Sequence, residues 1–141
     1  MQSTPTPAQP SLGRYRPLLE LGQGGSAHVY LAVARGPSGF NKLVVLKVLK
    51  AELSHDRDLR RMFLDEARLA GRLNHPNIVQ TYEVFEEEGR PVIVMEYLEG
   101  QPLSRIVERA ATDAVPFPLA MHLRILCEAL NGLQHAHELS D

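Results

Sequence analysis

Five short apolar segments of this 141-residue chain have the composition of β-strands. Val29, Leu31 and Val33 recur at the two-residue period of a half-buried strand. Residues 92–95 are apolar without alternation, as expected of a strand buried on both faces. The predicted strands are residues 15–21, 29–34, 43–49, 78–85 and 91–97.

A first helix is predicted between the third and fourth strands. Ser54 or Asp56 can cap its start, and the helical spacing continues to about Arg72. We interpret His55-Asp56-Arg57 as part of this cap and as surface charge, because it stands at the start of a helix. The residues that step by four and three along one face are Leu59, Phe63, Glu66, Ala70 and Leu73.

Two further helices are predicted after the last strand. A short one begins at Leu103, and a longer one begins at Phe117 and Pro118. The longer helix has a leucine stripe, widened by Ile125 and Ala129, that is suited to burial against elements this chain lacks. We therefore expect the stripe to be exposed and the chain alone to be poorly soluble. The leucines of this stripe are Leu119, Leu123, Leu126, Leu130 and Leu133.

A single charged residue interrupts each of two apolar patterns. Lys47 stands inside the strand 43–49, and Glu66 stands in the middle of the first helix's stripe. Burying either charge alone is costly, so we predict that they pair, with their charged groups within about 4 Å. The alternatives are an edge strand in which Lys47 prevents aggregation, and Glu66 as an ordinary interfacial charge.

The predicted turn between the first two strands is rich in glycine. Gly22, Gly24 and Gly25 fall within four positions, where missing β-carbons let backbone N–H groups approach an anion such as phosphate. The alternative is a tight hairpin that binds nothing. A Rossmann turn is disfavoured because a strand follows, and a P-loop lacks its Gly-Lys-Ser/Thr ending here.

Composition narrows the class of protein further. A net charge of −2 leaves no basic footprint for nucleic acid. Cys127 is expected to be a buried thiol in a reducing compartment. His135 and His137 point to different helix faces, so no metal site is predicted there. No apolar run reaches a membrane span of about 18 residues, and no signal-peptide core is present, so we expect a cytoplasmic protein.

Together these features resemble the eukaryotic-like protein kinase family in its bacterial serine/threonine branch. Residues 21–29 look like the glycine-rich loop, with Ala27 in place of the third glycine. Residues 44–47 match the third-strand Val-Ala-Ile-Lys motif, with Val45 in place of alanine. The larger side chain of valine should narrow the slot in which this family binds the adenine ring of ATP.

Three more positions carry the resemblance. Glu66 stands where the helix C glutamate belongs, nineteen residues after Lys47. Residues 73–79 are similar to the segment that joins helix C to the fourth strand, and residues 95–100 look like the gatekeeper and hinge.

The resemblance implies an α+β fold: a kinase small lobe with an antiparallel five-stranded sheet plus helix C, the hinge, and the first two large-lobe helices. The chain has no His-Arg-Asp or Asp-Phe-Gly motif, so we expect a kinase truncated before its catalytic loop. The expected boundaries are a disordered polar tail at 1–14 and a kinase domain at 15–141, divided into small lobe 15–95, hinge 96–101 and large-lobe start 102–141.

The resemblance also implies roles for individual residues. Lys47 would hold the α- and β-phosphates of ATP, and Glu66 would hold Lys47, which makes these two the catalytic candidates. Magnesium would accompany ATP, with both family ligands beyond residue 141. The positions expected to contact the nucleotide are Leu21, Gly22, Gly24, Gly25, Ala27, Val29, Val45, Lys47, Met95, Glu96 and Leu98.

The expected function is ATP-dependent phosphoryl transfer to serine or threonine of unidentified protein substrates by the parent protein. This chain would supply the ATP-binding half and would be inactive alone. The alternatives are a nucleotide-binding pseudokinase or regulatory module, and a kinase-like enzyme acting on small molecules.

Overall fold

The computed structural model of the chain describes residues 12–139. Residues 1–11, which hold most of the predicted disordered tail, and residues 140–141 lie outside the described part. Within it, the chain forms two compact units. The sheet unit comprises residues 12–72 and 80–97, and the helical unit comprises residues 73–79 and 98–139.

Five strands of the sheet unit form one antiparallel sheet in the order β1-β2-β3-β5-β4, which confirms the predicted sheet within residues 12–139. The α-helices of the described residues are likewise those that the sequence predicts, with α1 in the sheet unit and α2 and α3 in the helical unit. The strands are β1 (Tyr15–Gln23), β2 (Ala27–Arg35), β3 (Asn41–Leu49), β4 (Thr81–Glu87) and β5 (Arg90–Glu96). The helices are α1 (Arg57–Arg72), α2 (Leu103–Thr112) and α3 (Leu119–Glu138).

The central strand β3 divides the core of the sheet unit into two clusters. Val44, Leu46 and Val48 are buried on one face, together with Val92 and Val94 of β5. On the other face, residues of β2, β3 and β5 form a second buried cluster with α1. The residues of this second cluster are Ala27, Leu49, Phe63, Ala67 and Ile93.

The predicted disordered tail extends to residue 14, whereas the structure packs Leu12 against the sheet. Leu12 is buried in the first core cluster and exchanges two backbone hydrogen bonds with Tyr15. The Tyr15 ring stacks on Phe85 with 5.6 Å between centroids, and its hydroxyl donates to Glu83. Burial, followed by the hydrogen bond to Glu83, raises the pKa of Tyr15. The buried Leu12 side chain and its backbone hydrogen bonds to Tyr15 therefore hold the residues before β1 against the sheet.

Strand β4 begins later than the sequence predicts, at Thr81 rather than Ile78. The Ile78 amide donates to the His75 carbonyl at 3.0 Å, closing a turn over Pro76 and Asn77. Proline favours the second position of such a turn, and this explains the delayed pairing.

Helix α1 begins after Asp56, one of the two predicted caps. The Asp56 carboxylate accepts hydrogen bonds from the amides of Asp58 and Leu59, both at 3.0 Å. These bonds satisfy two of the donors that every helix start leaves open. The helix buries Phe63 and Ala67 against the sheet.

Phe63 is the main apolar anchor of α1, so Phe63→Ala should destabilise the sheet unit by about 3–4 kcal/mol through lost burial and a residual cavity. Urea unfolding followed by circular dichroism would measure the loss. Met62→Ala is the matched control, because its side chain is 66% exposed and should cost less than about 0.5 kcal/mol. Equal losses for the two variants would contradict this packing.

In the helical unit, Gly132 of α3 packs closely against the segment that follows α1. A β-carbon at Gly132 would lie 3.2 Å from the Asn77 carbonyl oxygen and 3.3 Å from Cγ1 of Ile78. The rings of His75 and His135 stack beside this contact at 5.2 Å between centroids. A glycine therefore lets α3 and residues 73–79 approach each other.

The leucine stripe of α3 is exposed in the described part of the chain. Its five leucines keep between 52% and 72% of their surface accessible. Cys127, which flanks the stripe, is exposed as well, so the prediction of a buried thiol is wrong. The expected exposure of the leucine stripe is thus confirmed within residues 12–139.

Candidate functional site

The two charges that interrupt apolar patterns meet in the structure. Nζ of Lys47 lies 2.5 Å from Oε1 of Glu66, which confirms the predicted pair. Lys47 is paired with Val29 of β2 on one side and with Ile93 of β5 on the other. Because β3 is the central strand, the alternative of an edge-strand lysine is wrong.

Burial differs between the two partners of this pair. The Lys47 side chain is 23% exposed and also lies over the Phe63 ring, with Nζ 5.5 Å from the centroid. Glu66 is 58% exposed, so the expectation that the pair relieves two buried charges holds for Lys47 only. A pair this accessible contributes about 0–1 kcal/mol to stability. Stability therefore gives little reason for placing a lysine here.

The glycine-rich hairpin between β1 and β2 is closed by a hydrogen bond from the Gly24 amide to the Ala27 carbonyl, at 2.9 Å. Gly22, Gly24 and Gly25 all lack the positive φ that favours glycine. Space does not require glycine either, since an added β-carbon would meet nothing within 4 Å at Gly22 or Gly25 and only the Ala27 oxygen, at 3.7 Å, from Gly24. Within the described residues, neither backbone conformation nor packing explains these three glycines.

Apolar candidates lie on the same sheet face as Lys47. Leu31, Val45 and Met95 form one row across β2, β3 and β5. Val45 is 8% exposed, whereas Leu21, beside the hairpin, keeps 46% of its surface accessible. Val29, the neighbour of Lys47, is half-buried. The face next to the lysine is thus a partly open apolar surface.

The remaining candidates differ in what they can offer a ligand. Ala27 is 2% exposed and packs in the second core cluster, between the sheet and α1, so only its backbone could contact a ligand. The Glu96 amide already donates to the Gln80 carbonyl at 2.9 Å. Leu98 belongs to the helical unit, where it is 60% exposed.

Ionisable side chains surround the hairpin on the opposite sheet face. Nδ1 of His28 lies 2.9 Å from the Glu20 carboxylate, and its ring stacks on Tyr30 at 6.0 Å. Burial, followed by the nearby charge of Glu20, raises the pKa of Tyr30. Tyr30 therefore stays a neutral phenol across the physiological pH range.

Sequence reasoning missed one residue that connects α1, the helix carrying Glu66, to the sheet. Arg60 of α1 donates to the Gly89 carbonyl at 2.8 Å and forms an ion pair with Glu86, joining the helix to the β4–β5 turn. The hydrophobic pattern holds no signal for this contact, because Arg60 lies outside the apolar stripe.

Residues 12–139 contain neither a metal-binding cluster nor a membrane-spanning helix. No group of three or more His, Cys, Asp or Glu side chains is placed to hold a metal ion. None of the helices in this range combines the length and apolar character needed to cross a membrane.

Comparison with a family model covers almost the whole chain. Residues 15–140 match the model described as "Protein kinase domain". Among curated relatives, tyrosine-protein kinase MasK of Myxococcus xanthus is 41% identical over 92% of this chain. Serine/threonine-protein kinase PrkC of Bacillus subtilis is 36% identical over 89% of it. The chain spans 20% and 18% of the length of these two relatives.

Solved structures show the same similarity. The crystal structure of the Mycobacterium tuberculosis PknI kinase domain aligns over 94% of this chain and 52% of that chain. The TM-score is 0.69 and the sequence identity is 27%.

Proposed function

This chain belongs to the protein kinase domain family, and we propose that it supplies the ATP-binding part of a serine/threonine protein kinase. Curated relatives named as serine/threonine-protein kinases, from Streptomyces coelicolor and Bacillus subtilis, support the choice of acceptor. MasK, which is named as a tyrosine-protein kinase, makes tyrosine the competing acceptor.

The observation that carries the proposal is the Lys47–Glu66 pair on the central strand. At 2.5 Å, Glu66 holds the ammonium group on the sheet face that the glycine hairpin borders. In the proposed complex, Lys47 contacts the α- and β-phosphates and neutralises part of their charge. Glu66 limits the positions of the lysine, so that little reorganisation is needed when the nucleotide binds.

The glycines of the hairpin support the same proposal. They are needed neither for a positive φ nor for packing, so close approach of a ligand is the physical reason left for them. Backbone N–H groups of the hairpin would then face the phosphates, while Leu21, Val29, Val45 and Met95 offer apolar contact to the adenine. The roles of Glu96 and Leu98 as hinge contacts remain predictions from the resemblance.

Magnesium, when bound with ATP, supplies charge neutralisation at the phosphates. The described residues do not fit a metal centre, so we assign none of them to the ion. Because ATP is an intracellular donor, we propose a cytoplasmic location for this domain, with protein serine or threonine side chains as acceptors.

Incubating the whole protein with radiolabelled ATP and magnesium tests the proposal. We expect label on the protein itself or on an added protein, recovered as phosphoserine and phosphothreonine after acid hydrolysis. Label on tyrosine alone would overturn the choice of acceptor. ATP binding without transfer would favour the regulatory-module alternative, and absence of ATP binding would overturn the assignment of the site.

A further inference from the structure

Helix α1 is held to the sheet by few apolar contacts. Of its sixteen residues only Phe63 and Ala67 are buried. Met62 and Leu69 are 66% and 61% exposed, and the paired Glu66 is itself mostly accessible to solvent. The position of the helix, and with it the Lys47–Glu66 contact, therefore depends on additional anchors.

Arg60 provides a polar anchor on the sheet side of α1. One guanidinium nitrogen donates to the Gly89 carbonyl at 2.8 Å, and the other forms an ion pair with the Glu86 carboxylate. The Arg60 side chain is 29% exposed, less than Glu66. A planar guanidinium can reach both acceptors at once, which a single ammonium group cannot do in the same geometry.

The acceptors lie at a tight turn between two paired strands. Glu88 and Gly89 link β4 to β5, with φ of 49° and 74°. Positive φ at both central residues is typical of the tight two-residue hairpin whose twist matches its strands. Arg90 adds a contact to Glu88 at 3.3 Å. Arg60 is therefore anchored to a part of the sheet whose position is fixed by β4 and β5.

We propose that Arg60 is a positioning residue that clamps α1 to the β4–β5 turn and so sets the place at which Glu66 meets Lys47. Arg60 and Glu66 are six residues apart, about 9 Å along the helix axis. With both ends of this span tied to the sheet, α1 keeps the orientation that presents Glu66 to β3. With Arg60 released, Phe63 and Ala67 remain as the buried pivot, and Glu66 gains freedom to leave Lys47.

Neighbouring arginines provide a matched control. Arg61 and Arg68 both contact Asp65, at 3.6 Å and 2.9 Å, within the same helix. These contacts stay inside α1, so their loss leaves the distance between helix and sheet unchanged. Arg61→Gln thus removes the same kind of side chain as Arg60→Gln without touching the clamp.

Hydrogen exchange of the whole protein tests the clamp directly. In Arg60→Gln, amides of α1 should exchange at least about tenfold faster than in wild type, while those of β3 and β5 stay unchanged. Arg61→Gln should remain within about twofold of wild type. Equal α1 exchange in the two variants would overturn the proposal. Faster exchange throughout the sheet would also overturn it, because it would indicate a general loss of stability.

Exchanging the two charges provides a rescue experiment. Glu86→Arg alone places two arginines together and should loosen α1. Adding Arg60→Glu restores opposite charges and should recover part of the lost protection, although the bond to Gly89 is not replaced. A double variant no better than Glu86→Arg would count against the ion pair as the anchor.

The effect on catalysis rests on the proposed function and is measured in the whole protein. Arg60→Gln should lower kcat about ten- to a hundredfold, with KM for ATP changed less than about threefold, since a misplaced Lys47 acts mainly on the transition state. Normal kcat in Arg60→Gln, alongside a loss in Lys47→Met, would overturn the positioning role and leave the proposed function standing. If Lys47→Met is also fully active, the proposed function fails, and hydrogen exchange decides whether Arg60 holds the helix.

Discussion

Replacing Lys47 with methionine is expected to lower phosphoryl transfer by the whole protein about a hundredfold or more. Lys47 lies among apolar side chains on the central strand, its ammonium group is 2.5 Å from Glu66, and its proposed contacts are the phosphates. Because charge stabilisation there matters most in the transition state, affinity for ADP should fall less than about tenfold. Methionine keeps the apolar stem, so the fold should persist.

Lys42→Met is the matched control for this experiment. Lys42 lies on the same strand, but its Nζ bonds the Tyr82 hydroxyl at 2.8 Å instead of a carboxylate beside the hairpin. Its transfer activity should stay within about threefold of wild type. Radiolabel transfer by Lys47→Met within tenfold of wild type, with normal transfer by Lys42→Met, would rule out the assigned role of Lys47.

The central pair could be predicted from the sequence because both of its members violate a pattern. A lysine in an apolar strand and a glutamate in an apolar helical stripe are costly unless something offsets them, and each supplies what the other needs. The number of strands and the spans of the helices could be predicted from the periodicity itself, since apolar spacing indicates which face of an element is buried.

The degree of burial could not be predicted in this way. Cys127 was wrongly expected to be buried, because an apolar helical pattern does not show whether another element covers the side of α3 on which the cysteine lies. Glu66 lies on the predicted stripe yet stays 58% exposed, because the sheet reaches only Phe63 and Ala67 of that helix.

The polar contacts of Arg60 were also beyond prediction. Arg60 bonds a turn 26 to 29 residues further along the chain. Arginine on a helix surface is common, and nothing in its immediate sequence distinguishes Arg60 from Arg61. The distinction arises only when β4 and β5 place Gly89 and Glu86 beside the helix.

Because the leucine stripe of α3 is exposed, we expect this chain to self-associate when it is expressed alone. Five leucines at helical spacing, each more than half exposed, form a face on the order of several hundred Å². Burial of such an area at about 25 cal/mol per Å² favours association by several kcal/mol. We therefore expect the chain to elute from size exclusion as an oligomer or aggregate rather than as a monomer.

Substituting Leu123, Leu126 and Leu130 together with glutamate should convert the chain to a monomer, because glutamate keeps helix propensity and removes the apolar face. Leu69→Glu on α1 is the control: its side chain is 61% exposed but lies outside the stripe, so the oligomer should persist. Ending the chain near Gly100, which removes α2 and α3, should have the same effect as the triple substitution. Light scattering coupled to size exclusion gives the mass in each case. A wild-type chain that is already monodisperse and monomeric, with slow hydrogen exchange around Leu126, would show that the leucine face does not drive association.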